Sequence, residues 1–247
     1  MSSIAISLIT FVVVFVGALL GMAIRAVLPQ NHSSGESKDA VKLGMGLIAT
    51  MAAPVLGLLT ASAKSSFDTQ NSELTEMSSR IVLIDRVLAH YGPETKEARD
   101  ELRSSVVRFL DLLSSNGRSQ FGSSVSGDVL YDKIQELSPK DDAQRSIQTE
   151  ALSILVGLGQ TRWLLAEQSV KAVSAPMLIV LIFWLTILFI SFGLFAPRNA
   201  TVVVTLLLSA LSVSGAIFLI LEMYSPYQGL ICVSTAPLRI ALTHLGQ

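Results

Sequence analysis

Residues 43–63 read Leu43-Gly-Met-Gly-Leu-Ile-Ala-Thr-Met-Ala-Ala-Pro-Val-Leu-Gly-Leu-Leu-Thr-Ala-Ser-Ala63, a run without a single charged side chain. At about 1.5 Å of rise per residue, a helix of that length crosses a hydrocarbon core of ~30 Å. Three further runs have the same character: Ile4 to Ile24, Val173 to Ala196 and Ala200 to Leu221 contain no Asp, Glu, Lys or Arg. Within lipid only helices and closed barrels satisfy their own backbone groups, and these runs lack the period-two alternation of barrel strands. The expected fold is an all-α membrane protein. Four transmembrane helices enclose a helical stalk domain inserted between helices 2 and 3.

Composition agrees. Of 247 residues 51% are hydrophobic and 15% charged, where a soluble domain carries about a quarter charged residues. Mean hydropathy is +0.57. The charges concentrate between Lys64 and Lys171, with 13 basic and 16 acidic side chains. The expected organisation is therefore transmembrane helices 1 and 2 in 1–63 and a soluble stalk in 64–171. A hairpin of helices 3 and 4 follows in 172–222, then an interfacial tail in 223–247. A net charge of −1 gives no reason to expect a nucleic-acid partner. The first run is expected to be a retained helix, not a signal peptide, because Met1-Ser2-Ser3 carries no basic side chain and the apolar stretch is long.

Working outward from residues 43–63, the helix has no stop signal before Gly92-Pro93. Past Lys64, Phe67, Leu74, Met77, Ile81, Ile84, Leu88 and Tyr91 follow the 3–4 spacing of a packed seam, interrupted by Gln70. One rod is expected to run from the membrane into the soluble domain. A helix from Glu94 to about Ser114 presents Leu102, Val106, Phe109 and Leu113, and Ser114 to Gly127 reads as a flexible loop. A short helix covers Val129 to Leu137. A long one begins at Asp141 or Asp142, with Ile147, Ala151, Ile154, Leu158 and Leu165 in register. Pro29 to Asp39 reads as a loop, and Pro197-Arg198-Asn199 as the tight turn of the hairpin.

Motifs for chemistry are scarce. His32, His90 and His244 stand at no metal-ligand spacing, and there is no P-loop and no nucleophile turn. An enzyme, a metal site or a cofactor is not expected. Cys232, the lone cysteine, can form no internal disulfide and reads as inert packing near the membrane. Glu222 closes the fourth apolar run and reads as a residue of the membrane boundary, where burial is cheap.

The second membrane helix carries the candidate site. At 100° per residue, Gly46, Thr50, Ala53, Gly57, Thr60 and Lys64 fall within an arc of about 80°, while Leu47, Ile48, Met51, Val55, Leu58 and Leu59 lie elsewhere. A face this small either lets another helix approach closely, as Gly17-x-x-x-Gly21 of the first helix is expected to do, or lines a watery path. Pro54 also frees the Thr50 carbonyl.

Four stretches and the ending resemble a bacterial bestrophin-like membrane-protein family. They are Lys42-Leu-Gly-Met-Gly-Leu-Ile-Ala-Thr50, Ala61-Ser-Ala-Lys-Ser-Ser-Phe-Asp68, Leu88-Ala-His-Tyr-Gly-Pro93, Phe192-Gly-Leu-Phe-Ala-Pro-Arg-Asn199, and Glu222 with Pro226-Tyr227 and Gly229. The resemblance covers essentially the whole chain. The more distant likeness to true bestrophins implies a homo-oligomer, a pentamer, conducting chloride along a pore lined by the second helix. It also implies a cytosolic stalk and a bacterial inner-membrane location. Basic residues at the helix ends point weakly the other way, with Arg25, Lys38, Lys42 and Arg198 against Lys64, Lys171 and Arg239. The chain departs from bestrophins in two respects: its candidate pore face is small where theirs is bulky, and Met223 to Gln247 lacks an acidic calcium clasp. The rival readings are a non-conducting membrane scaffold or sensor whose stalk binds partners and, third, an ion-coupled transporter, which the scarcity of intramembrane charge disfavours.

Overall fold

A computed structural model describes residues 2–27, 35–114, 126–170, 175–225, 227 and 229–246. Its elements are α1 (Ser3–Val27), α2 (Gly35–Tyr91), a 3-10 turn (Pro93–Thr95), α3 (Lys96–Ser114), α4 (Ser126–Gln135), α5 (Asp142–Val170), α6 (Ala175–Phe195), α7 (Ala200–Met223) and α8 (Ala236–His244). No strand occurs among the described residues. Four helices, α1, α2, α6 and α7, are long and apolar enough to cross a membrane. His32, most of the loop expected from Pro29, the centre of the loop expected at 114–127, Lys171 and Pro226 lie outside the described residues. The second helix begins at Gly35, several residues before the start expected at Lys42.

The chain divides into two compact units. The first comprises Met1–Ser66 and Ala172–Tyr224, the second Phe67–Lys171 and Ser225–Gln247. The division falls inside α2, which continues as a single helix of 57 residues. Gly92, at φ +133°, ends it in a conformation that favours glycine, and the 3-10 turn follows at once.

In the first unit α1 packs on α6 and α7. Lipid tails are as apolar as leucine, so this association depends on close approach and internal hydrogen bonds, not on hydrophobic drive. The approach is very close. A β-carbon on Gly21 would overlap the Ile190 carbonyl, and one on Gly193 would overlap the Ala18 carbonyl. Each helix therefore presents a glycine to the other's backbone. Gly17 lies beside Thr186 and Ile190 of α6. The packing role expected for Gly17-x-x-x-Gly21 is thus met within one chain. Ser214 of α7 adds a buried hydrogen bond, its hydroxyl donating to the Ser7 carbonyl at 2.6 Å.

At one end of these helices two arginines cross the α1–α6 seam in opposite directions. Arg25 donates to the Phe195 carbonyl at 3.3 Å and to that of Ala196, while Arg198 donates to the Met22 carbonyl at 2.8 Å. The last carbonyls of a helix have no intrahelical donor. The Phe195 carbonyl, the last of α6, borrows its donor from Arg25 of α1, and Arg198 of the following turn adds a bond to a carbonyl within the last two turns of α1.

The second unit is built on the seam of α2. Leu74, Met77, Ile81, Ile84, Leu88 and Tyr91 are all buried, and so is Gln70. Leu74, Met77, Ile81, Ile84 and Leu88 share one core with Leu102, Val106 and Leu113 of α3, Leu130 and Ile134 of α4, and Ala151, Leu158 and Leu165 of α5. Asp141 accepts from the Gln144 backbone N–H at 2.7 Å, capping the start of α5. The C-terminal segment belongs to this core as well, through Val233, Leu238, Ala241 and Leu245.

The interlock predicts an asymmetry between glycines. Gly193→Ala should lower the thermal unfolding midpoint in mild detergent, since overpacking a tight contact costs roughly 1–3 kcal/mol. Gly215→Ala, with nothing within 4 Å of the added carbon, should leave it unchanged or raised. Equal midpoints for the two variants would refute a rigid α1–α6 crossing.

Candidate functional site: the open face of the second helix

Of the four apolar helices, α2 is the barest. Only 11% of its most apolar window is buried, against 28% to 33% in the other three. What it does bury lies on one side: Ala52, Leu59 and Ala63, with Val55 and Leu56 half-buried, join the core of the first unit. Near this side the Tyr224 hydroxyl donates to Ser62 Oγ at 2.9 Å. By helical geometry the centre of this buried side is about 120° from the centre of the small face.

Every residue of the small face is exposed: Gly46, Thr50, Ala53, Gly57, Thr60 and Lys64. No atom of a neighbouring element comes within 4 Å of a β-carbon built at Gly46 or Gly57. Next to this face, Leu43, Leu47, Met51 and Leu58 are exposed too. Within one chain, then, α1 uses its small face for packing and α2 does not.

The two hydroxyls on the face are committed. Thr50 donates to the Leu47 carbonyl at 2.8 Å and Thr60 to the Leu56 carbonyl at 2.9 Å. A carbonyl cannot donate, so the hydroxyl hydrogen is the shared one, and what the threonines offer outward is lone pairs. Pro54 within α2 leaves the Thr50 carbonyl without its i+4 donor. The middle of the face is therefore rich in acceptors, and Lys64 supplies its positive charge.

The other residues singled out from sequence fall elsewhere. Glu222 is buried, at 4% exposure, in the last turn of α7, at the end of the fourth apolar run. His90 lies exposed at the end of α2, its Nδ1–H donating to the Arg86 carbonyl at 2.7 Å, and His244 closes α8. Cys232 is exposed, not packed. Among the described residues no group of three His, Cys, Asp or Glu side chains could hold a metal ion.

Sequence reasoning missed one polar cluster. Asp85, 2% exposed, lies beside the apolar seam of α2 and takes a two-pronged contact from Arg99 of α3, with Nε and Nη2 each at 2.8 Å. The C-terminal segment closes over it: the Gly246 N–H donates to Asp85 Oδ2 at 3.2 Å, and Arg103 donates to the Leu245 carbonyl at 3.2 Å. The Asp85 carboxylate raises the pKa of Arg99 through this hydrogen bond, against the opposing effect of burial. A fork of two N–H donors matches a carboxylate in geometry as well as charge. An aspartate one step off an apolar seam was the available signal.

A family model described as bestrophin-like domain matches residues 10–238. No curated protein and no solved structure matches the chain.

Removing one partner of a buried, hydrogen-bonded ion pair strands the other charge and costs roughly 3–5 kcal/mol. Arg99→Met should therefore destabilise the second unit strongly, whereas Arg99→Met combined with Asp85→Leu should recover much of the loss. Urea unfolding in detergent, followed by Trp163 fluorescence, measures both. A double variant no more stable than the single one would contradict the pairing.

Proposed function

Because the chain belongs to the bestrophin-like family over residues 10–238, we propose that copies assemble in a bacterial inner membrane as a channel for chloride or a similar anion, with α2 lining the path. The single observation that favours this is the open small face of α2. A helix in lipid gains little from exposed glycines, which forgo packing contacts that bulkier side chains would make. The same chain fills its other small face to backbone contact. An unfilled one, ending in a cation, suits a shared aqueous path.

In this reading Gly46, Thr50, Ala53, Gly57 and Thr60 form the wall and Lys64 the mouth. A ring of ammonium groups concentrates anions and repels cations. With a Debye length of ~8 Å at physiological salt, that field acts only across a narrow mouth. Likeness to bestrophins favours five subunits. The second unit then forms a cytosolic helical stalk inserted between the second and third membrane helices. The protein is non-enzymatic and uses no cofactor.

One observation favours a second reading, a non-conducting scaffold. The α1–α6 crossing shows that a small face in this protein can receive a helix, so the α2 face could be closed by the α2 of a second copy. Planar-bilayer recording separates the two readings. The channel reading expects an anion-selective current, with Lys64→Glu lowering the anion-to-cation permeability ratio, more so at low salt. Gly57→Leu should cut conductance without changing the oligomer. Silent wild-type protein, or selectivity indifferent to Lys64→Glu, would give the lead to the scaffold.

A further inference from the structure

The arginine pair at the α6–α7 turn has more positive charge than its structural duty needs. Arg25 and Arg198 are both exposed, and both spend donors only on main-chain carbonyls. No carboxylate among the described residues pairs with either. Asp39, an acid on the same side of the apolar runs, is engaged by Lys42 at 3.4 Å. The helix ends they cap offset part of the charge: a helix C-terminus carries about −0.5 and an N-terminus about +0.5. Two guanidiniums against the C-termini of α1 and α6, with the N-terminus of α7 beside them, leave an excess of about +1.5.

Position defines what could neutralise that excess. The apolar runs of α1, α6 and α7 end here, which puts the guanidiniums at headgroup depth when these helices span a bilayer. A guanidinium has five N–H donors. Arg25 commits one terminal nitrogen and Arg198 another, and the remaining donors of both meet no acceptor among the described residues. Planar forks of this kind recognise phosphate oxygens two at a time. We propose that the Arg25–Arg198 corner is a binding site for the phosphate of an anionic phospholipid headgroup, which seals the α1–α6 seam at its polar end. The site concerns lipid and is independent of whether the protein conducts.

Native mass spectrometry of protein released from nanodiscs tests this directly. With discs containing phosphatidylcholine and phosphatidylglycerol in equal amounts, wild-type protein should retain phosphatidylglycerol in preference by about tenfold: both headgroups carry a phosphate, but the choline ammonium cancels its charge, and two arginines favour the lipid that stays anionic. Arg25→Gln with Arg198→Gln should abolish the preference, and Lys42→Gln should keep it. Arg198→Lys preserves the charge without the fork and should weaken the preference partly, which covers the case of a double variant that does not fold. Thermal unfolding in pure phosphatidylcholine discs with millimolar inorganic phosphate tests the other source of the same chemistry. No stabilisation is expected there, and a midpoint matching that in phosphatidylglycerol discs would overturn the lipid assignment. A wild-type protein without lipid preference, or a folded double variant that retains it, would also overturn the proposal.

Discussion

The first unit depends on the contact of Gly21 with the Ile190 carbonyl and of Gly193 with the Ala18 carbonyl. In a bilayer, apolar side chains gain nothing by leaving lipid for each other, so helices must be held by surfaces that lipid cannot fit as well. Two glycines offered reciprocally bring the backbones of α1 and α6 together and fix their register. That register determines what else can form. It brings Arg25 within reach of the carbonyls of Phe195 and Ala196, and Met22 within reach of Arg198. Without the close crossing, the last carbonyl of α6 would find no donor in α1, and Arg198 would lose its acceptor there.

The contrast between α1 and α2 follows from the same physics. Both helices carry glycines and small polar residues at helical spacing, yet the structure uses them oppositely. In α1 they meet α6; in α2 the packing side is Ala52, Leu59 and Ala63, and the glycines face outward. Small residues are needed only where something approaches closely or must pass. Their presence on an unpartnered side of α2 is the feature that a single chain does not account for.

Much of this architecture could be read from sequence because its determinants are periodic and local. Four uncharged runs define the spans, and the 3–4 spacing from Leu74 to Tyr91 marks the buried side of α2 beyond the membrane. Gly92 stops that helix where its dipeptide with Pro93 suggested. The features that escaped are set by partners distant in sequence. Nothing local distinguishes Asp85 from other acids of the second unit until Arg99 and the Gly246 N–H converge on it. Likewise, the depth of Glu222 depends on how the helices close around the end of α7. For the candidate site, sequence grouped the six residues on one face; only the structure could show that face to be unfilled within the chain.

The chemistry of that face constrains how the proposed channel would select. Thr50 and Thr60 donate their hydroxyl hydrogens inward to Leu47 and Leu56, and Pro54 exposes a carbonyl that lacks its usual partner. Lone pairs directed into a path attract water and cations; an anion would meet them with repulsion unless a hydroxyl turned outward and gave up its backbone bond. Such a bond is worth about 1 kcal/mol net, so turning is affordable but not free. The middle of the path would then bind anions weakly, which suits conduction, since an ion must leave as readily as it enters. Anion preference would reside at the Lys64 end. A charge selected at a mouth and passed through a small, weakly interacting wall differs in kind from selection by a bulky apolar neck, and in the proposed channel it would depend on one lysine per copy.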